Sequence, residues 1–347
     1  MSEPRRAGGD GKPGPGRTAN IFDVARLAGV SHQTVSRVIN DLPNVRPSTR
    51  ARVEQAIAQL QYSPSPAARA LVTRRTRSIG LVTPGISDYG PTSIAMHFNF
   101  AARAARYNVE TVSAPSEDPK AIRAVVDGLL RQRVDAIVLV VVDIAVLELV
   151  RSLDLRIPVV AAASAPRRSP MIVSIDQYRG ARTAVRHLVE LGHTRILHVA
   201  GPRTALDAVE RVRGWRDELA GHRLEIPEPL FGDWSAASGH RLGSGLDIEP
   251  GVAVFVGNDH MTIGLLSALR ERGLQVPRDV SVVGFDDVPE AGYLFPPLTT
   301  IRQDFATLGE IIMQKVLIAV EEPDTLTEDI PLPTRLVVRQ STRAVDD

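Results

Sequence analysis

Cysteine is absent from all 347 residues. Its absence excludes disulfides, cysteine nucleophiles, thiolate zinc sites and iron–sulfur clusters together, and it fits a cytoplasmic chain. No apolar run approaches the roughly 18 residues of a membrane span, so an integral membrane helix is excluded. The opening stretch MSEPRRAGGDGKPGPGR holds no apolar h-region, which predicts a chain without a secretory leader. Catalytic signatures are missing too. There is no G-x-S-x-G elbow, no Walker A loop, no H-E-x-x-H and no G-x-G-x-x-G after a strand. The eight histidines are scattered, and none pairs with carboxylates at metal-ligand spacing. Neither a metal nor another cofactor is expected, and the chain does not read as an enzyme.

Net charge is nearly lacking, at +1, but it is unevenly spread. Residues 1–77 hold 13 Lys and Arg against 5 Asp and Glu, while the remaining 270 hold 28 against 35. A short basic head on a larger acidic body points to a head that meets a polyanion. The first 19 residues, rich in Gly, Pro and Arg, read as a disordered tail. They carry only four of the basic residues, so the tail does not account for the excess.

Within the head, Asn20 is a good N-cap and Asp23 follows three positions on, near the positive end of a helix dipole. Val24, Ala25 and Ala28 share one face of a short helix that ends at Gly29. Ser31 caps a second helix over 32–40. Val35, Val38 and Ile39 form its apolar face, and Gln33, Thr34, Ser36 and Arg37 its polar one. A third helix runs over about 47–60, with Val53, Ile57 and Leu60 at helical spacing. Two short helices joined by Gly29-Val30-Ser31 make a helix-turn-helix unit, whose second helix enters the DNA major groove. Gln pairs bidentately with adenine and Arg with guanine, and hydroxyls suit phosphate oxygens. A ligand-free three-helix bundle would show the same spacing; the charge asymmetry favours DNA. Pro64 and Pro66 stop the third helix. The following Ala67 to Leu71 is one helical turn, too short to persist alone, and reads as either a solvated linker or a hinge that orders against DNA.

From residue 78 the pattern alternates. Apolar, β-branched runs lie at 79–82, 134–142, 158–163, 195–199, 252–256 and 280–285. Amphipathic stretches lie between them at 93–107, 120–131, 179–191, 204–219 and 261–272. This is the pattern of parallel sheets covered on both faces, and its length suits two α/β halves. Ligands of such sheets sit beyond the carboxyl ends of the strands. There the sequence places Gly257-Asn258-Asp259 and Asp286-Asp287. Arg211 follows the strand ending near Gly201, and Trp234 offers a flat face. An amide, a guanidinium, one acid and a ring make polyol-binding chemistry. Asn258-Asp259 reads equally well as a helix cap, Asp287 as a solvated neighbour, and Trp234 as packing. A hard-metal cluster or acid/base pair from Asp286, Asp287 and Glu290 is conceivable, but a glycosidase needs two carboxylates across one bond.

The stretches DVARLAGVSHQTVSRVIN and RPSTRARVEQAIAQLQYSPSPAARAL resemble the head of the lac repressor/galactose repressor (LacI/GalR) family of bacterial transcription regulators. The resemblance runs from about Ile21 to Thr342 and is nearest to the lac-type members. It implies an α/β fold with a helix-turn-helix head at 20–65 and a hinge at 66–77. A core like that of periplasmic sugar-binding proteins would follow, with a first lobe at 78–176 with 304–332 and a second at 177–303 with 333–347. The crossings would fall near Asp176, Gln303 and Pro333. It implies base reading by His32 and Gln33, a further groove contact by Arg37, and backbone anchoring by Thr34, Ser36, Asn40, Thr49 and Tyr62. Leu71 would wedge into the minor groove, where an apolar side chain unstacks a base step. Effector contacts fall to Arg211, Trp234, Asn258 and Asp286, with Gln303 and Phe305 at a crossover and Tyr89 and Pro91 on the first-lobe side. His32 stands where lac-type members carry tyrosine, and Ala163 where they carry an effector-contacting aspartate. No apolar heptad follows Val338, unlike the tetramer-forming members, so a homodimer is expected. The implied function is an allosteric repressor of carbohydrate metabolism released from operator DNA by a small sugar. The alternatives are a corepressor-dependent regulator answering a non-sugar metabolite, or a sugar receptor without DNA function.

Overall fold

The structure is a computed structural model and describes residues 19–39, 42–62, 75–85, 88–115, 118–164, 169–249, 251–328 and 330–345. Asn40, Leu71, nearly all of the tail at 1–19 and most of the hinge at 66–77 lie outside the described residues. The chain forms two compact units, Met1–Thr76 and Arg77–Asp347. No helix among the described residues is long and apolar enough to cross a membrane.

The head holds α1 (Ile21–Ala28), α2 (His32–Ile39) and α3 (Pro47–Gln59). The Asn20 side chain accepts from the Phe22 and Asp23 amides, and the Asp23 carboxylate accepts from the Asn20 amide at 3.0 Å, closing a capping box. Gly29 ends α1 in the left-handed region at φ 62°, where a side chain would be strained. Ser31 Oγ accepts from the Thr34 amide at 3.2 Å and so caps α2. Pro47 opens α3, its fixed φ suited to a first helical turn. Val24, Val35 and Val53, one from each helix, are fully buried together. Each such burial contributes about 1.5–3 kcal/mol, so three small helices cohere without a large core.

The larger unit holds two sheets. In the first, β1 (Ser78–Thr83), β2 (Asn108–Ser113), β3 (Ala136–Val140), β4 (Val159–Ala162) and β5 (Ile172–Val173) lie in the order β2-β1-β3-β4-β5, all parallel. Side chains alternate between two buried faces. Ile79, Leu81, Ala136 and Val138 enter one apolar cluster, and Val82, Ile137 and Leu139 the other. α4 (Tyr89–Ala104) packs on the first face, α5 (Pro119–Arg131) and α6 (Ile144–Ser152) on the second. In the second sheet, β6 (Arg195–Ala200), β7 (Leu230–Phe231), β8 (Val252–Val256), β9 (Ser281–Asp286), β10 (Thr299–Arg302) and β11 (Arg335–Val337) take the order β11-β10-β9-β8-β6-β7. Only β11 is antiparallel to its neighbour. α7 (Gln177–Glu190) and α8 (Leu206–Gly221) cover one face; α9 (Ala236–Ser244) and α10 (Asp259–Glu271) cover the other.

The last helix, α11 (Phe305–Glu321), follows β10 of the second sheet in sequence but packs against α4 and the first sheet. Its exposed row, Ala306, Glu310, Gln314 and Ile318, is half apolar, so its amphipathic stripe is faint in the sequence. The chain passes between the sheets at Asp176–Gln177 and Gln303–Asp304, and after the Ile175–Leu332 bridge it returns to β11. β2 escaped the apolar-run reading because it is an edge strand with polar residues at alternate positions.

Candidate functional site

A cavity of ≈ 240 Å³ opens beyond the carboxyl ends of both sheets. It brings together Tyr89, Pro91, Arg211, Trp234, Asn258, Asp286 and Gln303, seven of the eight core residues singled out above. The eighth, Phe305, lies in an adjoining cavity of ≈ 40 Å³ that shares Gly90, Pro91, Val142, Asp207 and Gln303 with the first. Phe305 meets the Tyr89 ring edge-on at 5.8 Å. Ala163 also lines this smaller cavity, buried in the first sheet's second apolar cluster, and its methyl offers a ligand no hydrogen bond.

Arg211 organises the centre. It is 3% exposed, and each of its nitrogens has a protein partner. Nε donates to Gln177 Oε1 at 3.0 Å, Nη1 donates to the Gly257 carbonyl, and Nη2 lies 3.6 Å from Asp207 and 3.8 Å from Asp286. The guanidinium also lies over the Phe285 ring at 3.9 Å. Gln177 Nε2 donates to Gln303 Oε1 at 2.8 Å, and Gln303 Nε2 donates to Asp286 Oδ1 at 2.7 Å. The four side chains thus close a circuit, two of whose members, Gln177 and Gln303, sit where the chain passes between sheets. Asp286 Oδ2 has no protein partner among the described residues. Burial pushes the Asp286 carboxyl up to about 8, against the pull of Arg211. Its φ of 120° and the φ of 72° at Trp234 put two non-glycine residues of the cavity in the left-handed half of backbone space, a strain that clusters at ligand sites.

Trp234 is set by what lies under it. A Cβ on Gly201 would fall 2.2 Å from the indole ring, and one on Gly257 3.2 Å. Both glycines therefore let the ring lie flat on the strand ends. Asn258 is both a cap and a wall. Its Oδ1 accepts from the Met261 amide at 2.9 Å, and Nδ2 donates to the Trp234 carbonyl at 3.0 Å. Each group keeps one further hydrogen-bonding capacity. The neighbouring Asp259 faces inward instead, accepting from Thr300 Oγ1 at 2.7 Å and the Val288 amide at 3.0 Å. Burial raises it to about 7.

The two sheets are also latched beside the cavity. The Leu206 amide donates to the Val142 carbonyl at 2.9 Å and the Ile144 amide to the Thr204 carbonyl at 3.2 Å. The Leu206 side chain, from the second-sheet half, is buried in the first sheet's apolar cluster. Thr204, Asp207 and Val142 line the cavity, so a ligand there touches the latch directly.

Two sequence readings need correction. Asp287 is not solvated: its carboxylate is 3% exposed and held by Arg302 and by Arg339 Nη2, the latter at 2.7 Å. The cavity also contains more than one acid. Asp88, Asp143, Asp207 and Asp233 line it alongside Asp286. Asp207 had a readable signal, four residues before Arg211 on one helix. The other three stand in loops or at helix starts, where Asp is ordinary as a cap. Asp143 caps α6 through the Ala145 amide. Asp88, at the start of α4, makes no capping bond.

In the head, His32, Gln33 and Arg37 are exposed on α2, opposite buried Val35 and Val38. His32 rests against the exposed Phe22 ring at 5.2 Å. Thr34 and Ser36 are half-buried on the same helix, and Thr49 lies in the first turn of α3. Tyr62 packs on the head's apolar cluster, which gives it a structural role whatever else it touches.

Comparison with known proteins places these units. The family described as bacterial regulatory proteins, lacI family, matches residues 20–65, and a periplasmic binding protein-like domain matches 185–342. The lactose operon repressor of Escherichia coli (strain K12) is 32% identical over 332 residues, covering 94% of this chain and 92% of the relative. A lac repressor dimer bound to operator and the anti-inducer ONPF superposes with a TM-score of 0.83 at 31% identity, covering 94% of this chain and 100% of the other. A complex of the transcriptional regulator CelR with cellobiose superposes with a TM-score of 0.66 at 29% identity, covering 93% and 99%.

Proposed function

This chain belongs to the lacI family of bacterial regulatory proteins, and from that premise we propose that it is a homodimeric repressor released from its operator by a small carbohydrate held in the cavity of the core. The observation that carries the reading is the circuit Arg211–Gln177–Gln303–Asp286. A hydroxylated ligand bonding Asp286 Oδ2 meets Gln303 directly and reaches Gln177 through it, the two glutamines at the passages between sheets, so binding biases how the halves are held. Trp234 supplies a face for the C–H side of a sugar ring, and Asn258 a donor and an acceptor. The chemistry is binding without a catalytic step.

On DNA, α2 enters the major groove with His32 and Gln33 reading bases and Arg37 a further contact; Thr34, Ser36, Thr49 and Tyr62 anchor the backbone. Asn40 and the Leu71 wedge belong to the same proposal and lie outside the described residues. Tyr293 and Phe295, 91% and 98% exposed, are apolar surface of the kind that a second copy covers. A light-scattering mass near two chains is expected; one near four would refute the dimer.

The reading is tested by titrating Trp234 and Trp215 fluorescence with mono- and disaccharides while operator binding is followed in parallel. One sugar quenches emission and releases DNA at the same concentration, with a coupling of about 5–150-fold in operator affinity. Both effects vanish in Asp286→Ala. Tighter operator binding with ligand would make the protein corepressor-dependent. Quenching without any change in operator affinity would leave only a sugar receptor.

A further inference from the structure

The carboxylates of the cavity say more about its ligand than the polyol chemistry does. Five carboxylates and one guanidinium line the space. The guanidinium is already engaged on every nitrogen, by Gln177, Gly257, Asp207 and Asp286. A phosphate or carboxylate on a ligand would therefore meet no free cation among the described lining residues and several negative charges. Three of the acids have no cationic partner within ion-pair distance among the described residues: Asp143, which is engaged in capping α6, and the pair Asp88 and Asp233. The pair come from opposite halves, Asp88 from the loop after β1 and Asp233 from the loop after β7. They sense each other electrostatically, Asp233 adding to the burial that raises Asp88 while His260 opposes it. Asp233 is held ionised by the Ser235 hydroxyl and amide. Asp88 makes no cap bond and is free to turn to a ligand. A third acid, Asp286, is nine-tenths buried with Oδ2 unpartnered in the same cavity. Like charges facing each other across a cleft hold it open, and a cation between them draws it together.

We infer that the ligand is a hydroxylated amine, an amino sugar being the class that fits, its ammonium bridging Asp88 and Asp233 across the two halves while its hydroxyls meet Asp286 and Asn258. This rests on the sugar-responsive reading above and narrows it. It also gives the ligand a direct hold on both halves: the charge that is recognised is the charge that closes the cleft. A neutral sugar fills the same polar positions but leaves the Asp88–Asp233 repulsion in place, and an anionic sugar adds to it.

The test uses the full chain and matched pairs: glucosamine against glucose, galactosamine against galactose, mannosamine against mannose, and the chitosan disaccharide against cellobiose, with glucose 6-phosphate as the anion. Binding is read by calorimetry and by Trp234 emission at neutral pH. In one pair at least, the amine binds tenfold or more tightly than its hydroxyl parent, a difference of about 1.4 kcal/mol. The ratio shrinks as salt is raised and falls toward one in Asp88→Asn. Asp233→Asn acts in the same direction, and thermal melting of each variant reports its folding. Binding of the neutral parent as tightly as the amine, an amine advantage that survives both substitutions, or tight binding of the phosphate would overturn the inference and leave the sugar-responsive reading standing. Silence of every pair, with native melting and intact operator binding, would remove both.

Discussion

The head carries its charge on the outside of a helix bundle, and the core carries its charge inside a cavity. Arg37 and its neighbours on α2 stand in solvent, where each charge is screened over about 10 Å at 0.1 M salt and acts nearly on its own. Arg211, Asp207 and Asp286 share one small space, where removing one partner leaves another uncompensated. The first arrangement suits a long polyanion, which needs many similar contacts and gives them up gradually with salt. The second suits a small ligand, which needs few contacts of fixed geometry. Sensitivity to single substitutions should therefore be shallow in the head and steep in the cavity.

The strongest way to break this contrast is Arg211→Ala. It strips Gln177 and Gly257 of a donor and leaves Asp207 and Asp286 without their cation. Removing one partner of a buried pair costs about 3–5 kcal/mol. We expect the core to melt earlier and ligand affinity to drop by more than about 100-fold, while operator affinity without ligand stays within about threefold. Calorimetric melting and operator titration check both arms. Equal loss of operator binding would mean that cavity and head are not separable.

Gln33→Ala sharpens the other side. A bidentate base contact discriminates by about 1–3 kcal/mol, so operator affinity should fall by roughly 5–150-fold while affinity for random DNA and for ligand holds. Gel-shift titration on both DNAs separates this from a fold defect. If both DNAs lose equally, Gln33 holds phosphate and not a base.

The same contrast explains how far the sequence could be read. The helices of the head are local objects. Asn20, Asp23, Gly29, Ser31 and Pro47 each act within four residues of where they stand, and each was legible. The central strands were legible because both faces are buried, as in β3 and β8. Arg211, Asn258 and Asp286 stood out as polar residues at or after strand ends. What stayed hidden depends on distance in sequence. Nothing near Asp88 announces that Asp233 lines the same cavity from the other half. Asp287 looked solvated because its two arginines come from β10 and the segment after β11. α11 showed only a faint stripe because its exposed row mixes Ala306 and Ile318 with Glu310 and Gln314.

The smallest expected effect concerns pH, and its sign separates the buried acids Asp286 and Asp259 from the buried His198. Burial raises Asp286 to about 8 and Asp259 to about 7, both above the value of an exposed aspartate near 4. A raised acid keeps its proton in the folded state where the unfolded chain has lost it. Its contribution is therefore complete at low pH and fades as pH climbs through the folded value. His198 runs the other way. Stacked on Phe255 at 4.6 Å and fully buried, it is lowered to about 4, so it favours folding increasingly as pH rises toward the ordinary histidine value near 6.5. Between about 4 and 6.5 it offsets one of the acids; above 6.5 the acids act unopposed by it. Each group alone can tilt stability by at most about 1.4 kcal/mol per pH unit. Asp286 feels Arg211, Asp259, Asp207 and Gln303 at once, and Asp259 adds to the burial that raises it. Urea unfolding between pH 6.5 and 8 should therefore show stability falling with pH. Asp286→Asn, whose amide oxygen still accepts from Gln303, should flatten that fall. A variant that falls as steeply as the parent would mean that Asp286 is ionised in the folded core throughout, paired to Arg211 as an ordinary salt bridge.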